Sequence, residues 1–270
     1  MSDRSSLDSR LALATQAATE AGRLIVQQTD RRGTLKDDRL REIVTEADRA
    51  SERLIIDAIR SHFPADAMLG EEFGLQPGSS GYAWVIDPID GTTNYAHGIP
   101  IFVVSIGIVH EGRVVVGVVY DPNRNDTFKA VRGGGAFRNG ECLHTRTAPL
   151  STRTLFGFSS RFIGPPPPHV VRVLEDFDEY RNLGSAALHL CAIACGWLDG
   201  AFSDSTKLWD IAAGSLLVEE AGGRITRFDG APVFPLTQTL SEYAVDRLPF
   251  LATNGHLDHA ALKAIFTGER

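Results

Sequence analysis

Cysteine is scarce. Cys142, Cys191 and Cys195 are the only three in 270 residues, an odd number with no Cys-x-x-Cys pair. That pattern argues against a disulfide framework or a thiolate zinc site and leaves free thiols packed in a core. Long apolar runs are missing too: no stretch approaches the roughly 20 residues that cross a bilayer. Met1 to Arg10 is polar, carries both signs of charge and lacks the apolar segment of a secretory signal. Basic charge is in deficit, with 27 Lys and Arg against 34 Asp and Glu, a net charge of −7. This speaks against a nucleic-acid groove and against binding to anionic membranes. There is no Gly-x-Ser-x-Gly elbow and no Walker-type Gly-Lys-Ser/Thr, so neither a serine nucleophile of that kind nor a P-loop is present. The expectation is a cytoplasmic protein acting on a small molecule, with no nucleic-acid or membrane partner.

What is present is an ordinary globular composition, 43% hydrophobic and 23% charged, enough for a large core. Apolar residues recur at helical spacing over Leu7–Gln28, then a charged stretch, Thr29–Glu42, reads as a loop. A second helix is predicted over Thr45–Phe63, with Ala50, Leu54, Ala58 and Ile59 inward and Pro64 as its stop. Ala67–Leu69 and Tyr82–Ile86 read as short strands. Val103–Val109 and Val114–Tyr120 form a β-branched hairpin around Glu111-Gly112, with Thr127–Val131 as a third strand. Beyond it, strands at Leu155–Ser159, Ile225–Phe228 and Phe250–Ala252 alternate with helices at Val170–Phe177, Ser185–Leu198, Trp209–Ala221 and Leu257–Phe266. The chain thus divides near residues 145–153 into an α+β half, 1–150, and an α/β half, 151–270.

The chemistry concentrates in Trp84-Val85-Ile86-Asp87-Pro88-Ile89-Asp90-Gly91-Thr92-Thr93-Asn94. An apolar strand runs into an acidic turn, and Pro88, which has no N–H, is expected to end the strand. Asp87 and Asp90 flank that turn, and carboxylates so close repel one another unless they share a cation. Hard oxygen ligands suit Mg²⁺, and the small hydroxylated residues after them offer amides to a phosphate. Asp-Pro and Asp-Gly are also plain turn dipeptides. Taken alone, Asp210 reads as an acid in the first turn of a helix, and Glu71-Glu72 as a solvated loop.

Together, Gly70-Glu71-Glu72, Asp87-Pro88-Ile89-Asp90-Gly91-Thr92-Thr93, and Trp209-Asp210 with Glu220-Ala221-Gly222-Gly223 resemble the signatures of the inositol monophosphatase family. Val44-Thr45-Glu46-Ala47-Asp48 and Gly184-Ser185-Ala186 resemble further family segments, and the likeness runs over nearly the whole chain. It implies a layered α-β-α-β-α sandwich, a homodimer, and lithium-sensitive, Mg²⁺-dependent hydrolysis of a phosphate monoester such as inositol monophosphate. By the same resemblance, Glu71, Asp87 and the Ile89 carbonyl hold one ion, and Asp87, Asp90 and Asp210 a second. A weaker third leans on Glu71. Gly91, Thr92 and Thr93 bind phosphate, Thr92 and Asp48 pair beside the attacking water, and Gly184, Ser185, Ala186 and Ser203 face the substrate.

At one position the chain departs from the family pattern. Inositol-specific members carry Glu seven residues before the Trp-Asp aspartate, where this chain has Ser203 followed by Asp204. A broad substrate range is therefore expected. Histidinol-phosphate phosphatase, nucleotide 3′-phosphatase and a non-catalytic regulatory protein are the alternatives on the same scaffold. Gly133-Gly134-Gly135 and Asp121 to Asp126 read as turns, not as a dinucleotide loop or an EF-hand. His97 reads as a rim residue and Lys36 as a candidate lid group over the metals.

Overall fold

The computed structural model describes residues 2–28, 33–37, 42–151, 153–158, 165–257 and 259–267. Helix α1 (Ser2–Gln27) and the hairpin β1 (Gly33–Asp37)–β2 (Glu42–Thr45) lead into α2 (Glu46–His62). Strand β1 lies in the stretch expected to be loop, and β2 begins at its last residue and runs to Thr45, the expected start of the helix. The side chain of Lys36 lies outside the described residues.

Eight strands follow: β3 (Ala67–Gly70), β4 (Gly74–Gln76), β5 (Tyr82–Asp90), β6 (Val103–His110), β7 (Arg113–Asp121), β8 (Asp126–Val131), β9 (Ala136–Arg138) and β10 (Glu141–Cys142). They form one sheet in the order β10-β9-β8-β7-β6-β5-β3-β4, and a single helical turn, α3 (Thr92–Ala96), interrupts the run after β5. Side chains alternate across it. Trp84 and Ile86 of β5, Val104 and Ile106 of β6, and Val116 and Val118 of β7 pack with α1 and α2. Ala83, Val85, Val103, Val114 and Val119 face the opposite way.

The second half starts at β11 (Leu155–Phe158) and continues through α4 (Pro168–Asp176), β12 (Glu179–Arg181), α5 (Ala186–Ala194), β13 (Gly200–Ser203), α6 (Leu208–Glu220) and β14 (Arg224–Thr226). It closes with α7 (Leu240–Tyr243), β15 (Phe250–Thr253) and α8 (His259–Thr267). The five strands order as β12-β11-β13-β15-β14. Helices α5 and α6 pack between the two sheets, and α4 and α8 cover the far face of the second around Phe156, Phe202 and Leu251. This is the five-layer α-β-α-β-α sandwich.

Two expectations change. Strand β5 does not stop at Pro88: it runs to Asp90, and the β5–β6 register shifts between Asp87 and Asp90. The bulge lifts Pro88 and Ile89 out of the ladder, and pairing with β3 has already ended at Ile86, so the missing N–H costs no ladder bond. Helix α2 buries Ala47, Asp48, Ser51, Glu52, Ile55, Ile56 and the expected Ile59, while Leu54 and Ala58 of the expected stripe pack half-buried at the edge of that core and Ala50 is half-buried. Three of its seven inward positions are polar, so hydrophobicity pointed to the neighbouring face.

Candidate active site

The bulge in β5 and the N-terminal ends of four helices, α2, α3, α5 and α6, converge. Asp87 Oδ1 accepts the Ile89 amide at 3.0 Å, which fixes the turn. Gly91 turns the chain into α3 at φ +106°, a left-handed conformation that glycine adopts without strain. Thr92 then points its hydroxyl back, 2.9 Å from the Ile89 carbonyl and 3.2 Å from Asp48 Oδ1. A hydroxyl has one proton, so the two acceptors share it. Asp48 is itself fixed at the start of α2, where its Oδ2 accepts the Thr45 amide at 2.7 Å and the Thr45 hydroxyl at 2.6 Å. This is a capping arrangement with an Asp in the usual Glu position.

Asp90 is held by the second half. Its Oδ2 accepts the Ser185 hydroxyl and the Ala187 amide, each at 2.6 Å, at the start of α5. Asp210 sits in the first turn of α6, where it accepts the Lys207 amide at 2.8 Å and a hydrogen bond from the Asp87 carboxyl. Glu71 follows β3, its amide donating to the Ile86 carbonyl at 3.2 Å. Asp87 feels Glu71 first among its charged neighbours, then Asp90, Asp210 and Asp48. The carboxylates singled out in the sequence are therefore neighbours in space.

Their electrostatics are unbalanced. Burial, then mutual repulsion, pushes Asp87 and Asp210 well above the ordinary carboxylate range. Burial raises Asp90 to about 6, against the Ser185 and Ala187 hydrogen bonds, and raises Asp48 to about 7. Among the described residues no Lys or Arg side chain pairs with any of the four aspartates. Clustered aspartates with no described Lys or Arg paired to them fit hard divalent cations. Among the described residues no group of three His, Cys, Asp or Glu is arranged to hold a metal ion as it stands; the aspartate oxygens accept instead from amides and hydroxyls.

A pH effect on stability follows. The folded carboxyls titrate above their unfolded range, so they favour the folded chain below about pH 4 and lose that contribution as pH rises through about 6 to 7. In chelator, the melting temperature should fall by on the order of a few degrees from about pH 5 to about pH 8. Added Mg²⁺ should raise it more at the higher pH. Calorimetric scans at both values check this, and an equal shift at both would count against a cation shared by these acids.

The substrate positions fare differently. Gly184 packs on Asn94, whose Nδ2 donates to the Ile101 and Leu183 carbonyls at 2.7 and 2.8 Å and so ties α3 to the segment before α5. Thr93 is exposed beside it. Ser185 and Ala186 are buried, and the Ser185 hydroxyl is occupied by Asp90. Ser203 is fully buried at the end of β13, its Oγ accepting the Ser205 amide at 3.4 Å. Asp204 turns to His169, with Oδ1 and Nε2 2.7 Å apart.

Glu220 accepts the amides of Gly133 and Gly135 at 2.8 Å each, so it secures that glycine turn. Asp121 accepts the Asn123 and Arg124 amides as a hairpin turn does. His97 caps α3. Sequence reasoning named Thr45 and Asn94 only as parts of their segments and missed Ser51 and Glu52; the signal available was the polar set Asp48, Ser51 and Glu52 at positions i, i+3 and i+4 of one helix.

A five-layer sandwich with a carboxylate cluster where the first sheet meets the starts of the helices packed on it defines a class, and comparison with known proteins agrees with it. The Inositol monophosphatase family model matches residues 6–265. The Nus factor SuhB of Pasteurella multocida (strain Pm70) is 42% identical over 228 residues, covering 82% of this chain and 85% of that protein. The inositol monophosphatase of Anabaena (Nostoc) sp. PCC 7120 superposes with a TM-score of 0.82 at 33% identity, over 97% of each chain. SaIMPase-II with inositol monophosphate bound superposes with a TM-score of 0.79 at 27% identity, over 97% of this chain and 94% of that one. The chain belongs to the inositol monophosphatase family. Among its described residues no helix is long and apolar enough to cross a membrane.

Proposed function

We propose that this chain hydrolyses small-molecule phosphate monoesters with magnesium, at a site between the halves 1–150 and 151–270. The observation that carries this reading is the gathering of Asp87, Asp90 and Asp210 beside Glu71, each of the aspartates raised by burial and by its acidic neighbours. Glu71, Asp87 and the Ile89 carbonyl would hold one ion, and Asp87, Asp90 and Asp210 a second; a third, weaker ion would rest on Glu71. Bound magnesium would supply charge neutralisation and water activation. Gly91, Thr92 and Thr93 would bind the phosphate through amides and a hydroxyl. Thr92 Oγ1 would accept a proton from the attacking water and pass its own to Asp48 Oδ1, which the Thr45 cap holds in place. No covalent nucleophile is needed, because phosphoryl transfer rests mainly on positioning and charge. Lithium inhibition and a homodimer belong to the same proposal.

The substrate we favour is inositol monophosphate or a similar polyol phosphate, which an SaIMPase-II structure holds by name. Ser203 is neutral and buried, and Asp204 is engaged with His169, so discrimination among esters should be shallow. The test is a panel of inositol 1-phosphate, histidinol phosphate, adenosine 3′,5′-bisphosphate and fructose 1,6-bisphosphate, with Mg²⁺ and with chelator. We expect turnover only with Mg²⁺, and kcat/KM for inositol 1-phosphate within about ten-fold of another ester, the effect of one charge-assisted hydrogen bond at the low end of its range. Asp204→Ala should leave that ratio unchanged. Selective loss of inositol phosphate turnover in Asp204→Ala would show that its carboxylate reads the substrate.

A second reading comes from the relatives' name, Nus factor SuhB, which points to a part in the transcription machinery. It is compatible with an intact site. A purified chain inactive on every ester in the panel, with Mg²⁺ present, would favour it.

A further inference from the structure

Helix α2 grips the site at three successive points, only one of which the family signature covers. Asp48 meets Thr92. One turn on, the Ser51 hydroxyl lies 3.4 Å from the Pro88 carbonyl. Beside it, Glu52 sends its carboxylate under the loop that carries Glu71. Its Oε2 accepts the Glu72 amide at 2.8 Å and its Oε1 the Phe73 amide at 2.9 Å. Glu52 is fully buried. A Cβ built on Gly70 would stand 1.8 Å from Glu52 Oε1, so the glycine is the residue that lets the carboxylate reach those amides. Among the described residues no Lys or Arg pairs with Glu52.

A buried carboxylate without a cation is costly to keep. Charge-assisted hydrogen bonds to two consecutive amides pin a loop more firmly than neutral ones. These two follow Glu71 directly, while the Glu71 amide is bonded to Ile86 on the other side. The loop is thus clamped before and after the residue that would reach the cation.

We propose that Glu52 is a positioning residue for Glu71: it fixes the Glu71–Phe73 turn so that the Glu71 carboxylate is presented to the cation, without touching cation or substrate itself. This rests on the metal-site reading above. Groups that orient a ligand in this way typically contribute about 10–100-fold to metal affinity.

The experiment is calorimetric titration of the full chain with Mg²⁺, for wild type, Glu52→Gln, Glu52→Asp, Glu71→Gln and the double variant Glu52→Gln/Glu71→Gln. Amide hydrogen exchange at Glu72 and Phe73 is measured alongside. Glu52→Gln keeps the shape but loses one acceptor oxygen, and Glu52→Asp keeps the charge but shortens the reach. Each should weaken Mg²⁺ binding at least about ten-fold and speed exchange at those two amides. Adding Glu52→Gln to Glu71→Gln should weaken binding no further, because the first acts through the second. Additive losses in the double variant would overturn the proposal, as would wild-type affinity in Glu52→Asp. If wild type itself binds no Mg²⁺, the metal-site reading falls and takes the proposal with it. That result is distinct from a wild-type chain that binds while its Glu52 variants bind equally well. Should Glu52→Gln fail to fold, Glu52→Asp carries the same comparison.

Discussion

Asp90→Asn is expected to hydrolyse phosphate esters on the order of 10³-fold more slowly than wild type, about 4 kcal/mol of lost transition-state stabilisation. The same variant should unfold, in chelator, at no lower a temperature. The two outcomes have one cause. Asparagine matches aspartate in volume, and its amide oxygen can still accept the Ser185 hydroxyl and the Ala187 amide. What disappears is one negative charge in a place where burial and neighbouring acids already disfavour it. The metal-free fold is relieved of repulsion, whereas a bound cation loses a charged ligand. Steady-state kinetics with calorimetry checks both halves. Retained activity would remove Asp90 from the site, and a collapsed melting temperature would show that its carboxylate is structural.

Thr92→Ala and Asp48→Asn should each lower kcat by on the order of 10²–10³, the range for a positioned proton-transfer group. Metal affinity should hardly change, because neither side chain is proposed as a ligand. The double variant should be scarcely slower than either single one, since a relay broken once is broken. The two differ in stability. Thr92 itself is half-buried, so water can replace part of what its hydroxyl supplies and its loss is mild. Asp48 also closes the start of α2 through two bonds from Thr45, and disturbing such a cap costs about 0.5–2 kcal/mol. Thr92→Ala is therefore the cleaner kinetic probe. Multiplicative losses in the double variant would show that the two residues act separately.

Of the candidate site's acids, Asp87 and Asp90 were legible in the sequence itself, because local chemistry makes their context odd. Two aspartates around a proline after a buried strand make little sense as structure alone. Asp48 and Asp210 each open a helix in a position that also suits a cap, so only the family resemblance distinguished them. What hid the rest was polarity facing inward. Ser51 and Glu52 lie on the buried face of α2, and the apolar periodicity of Leu54 and Ala58 pointed to the adjacent face. Strand β13 escaped because Gly200–Ser203 is four residues long and begins with glycine. The layer order, likewise, came from resemblance: periodicity separates helices from strands but does not say which helices lie between sheets.

The donors that hold the acids are amides and hydroxyls: Thr45, Ile89, Ser185, Ala187 and Lys207, the last through its backbone. Each satisfies a carboxylate oxygen in direction and leaves its charge untouched. An arginine at any of these places would fix the same oxygen and cancel the charge as well, and the cluster would then be complete by itself. By using neutral donors the chain sets the direction of these carboxylates and their charge independently. Substitutions that retune the direction of these carboxylates can therefore arise without erasing their charge.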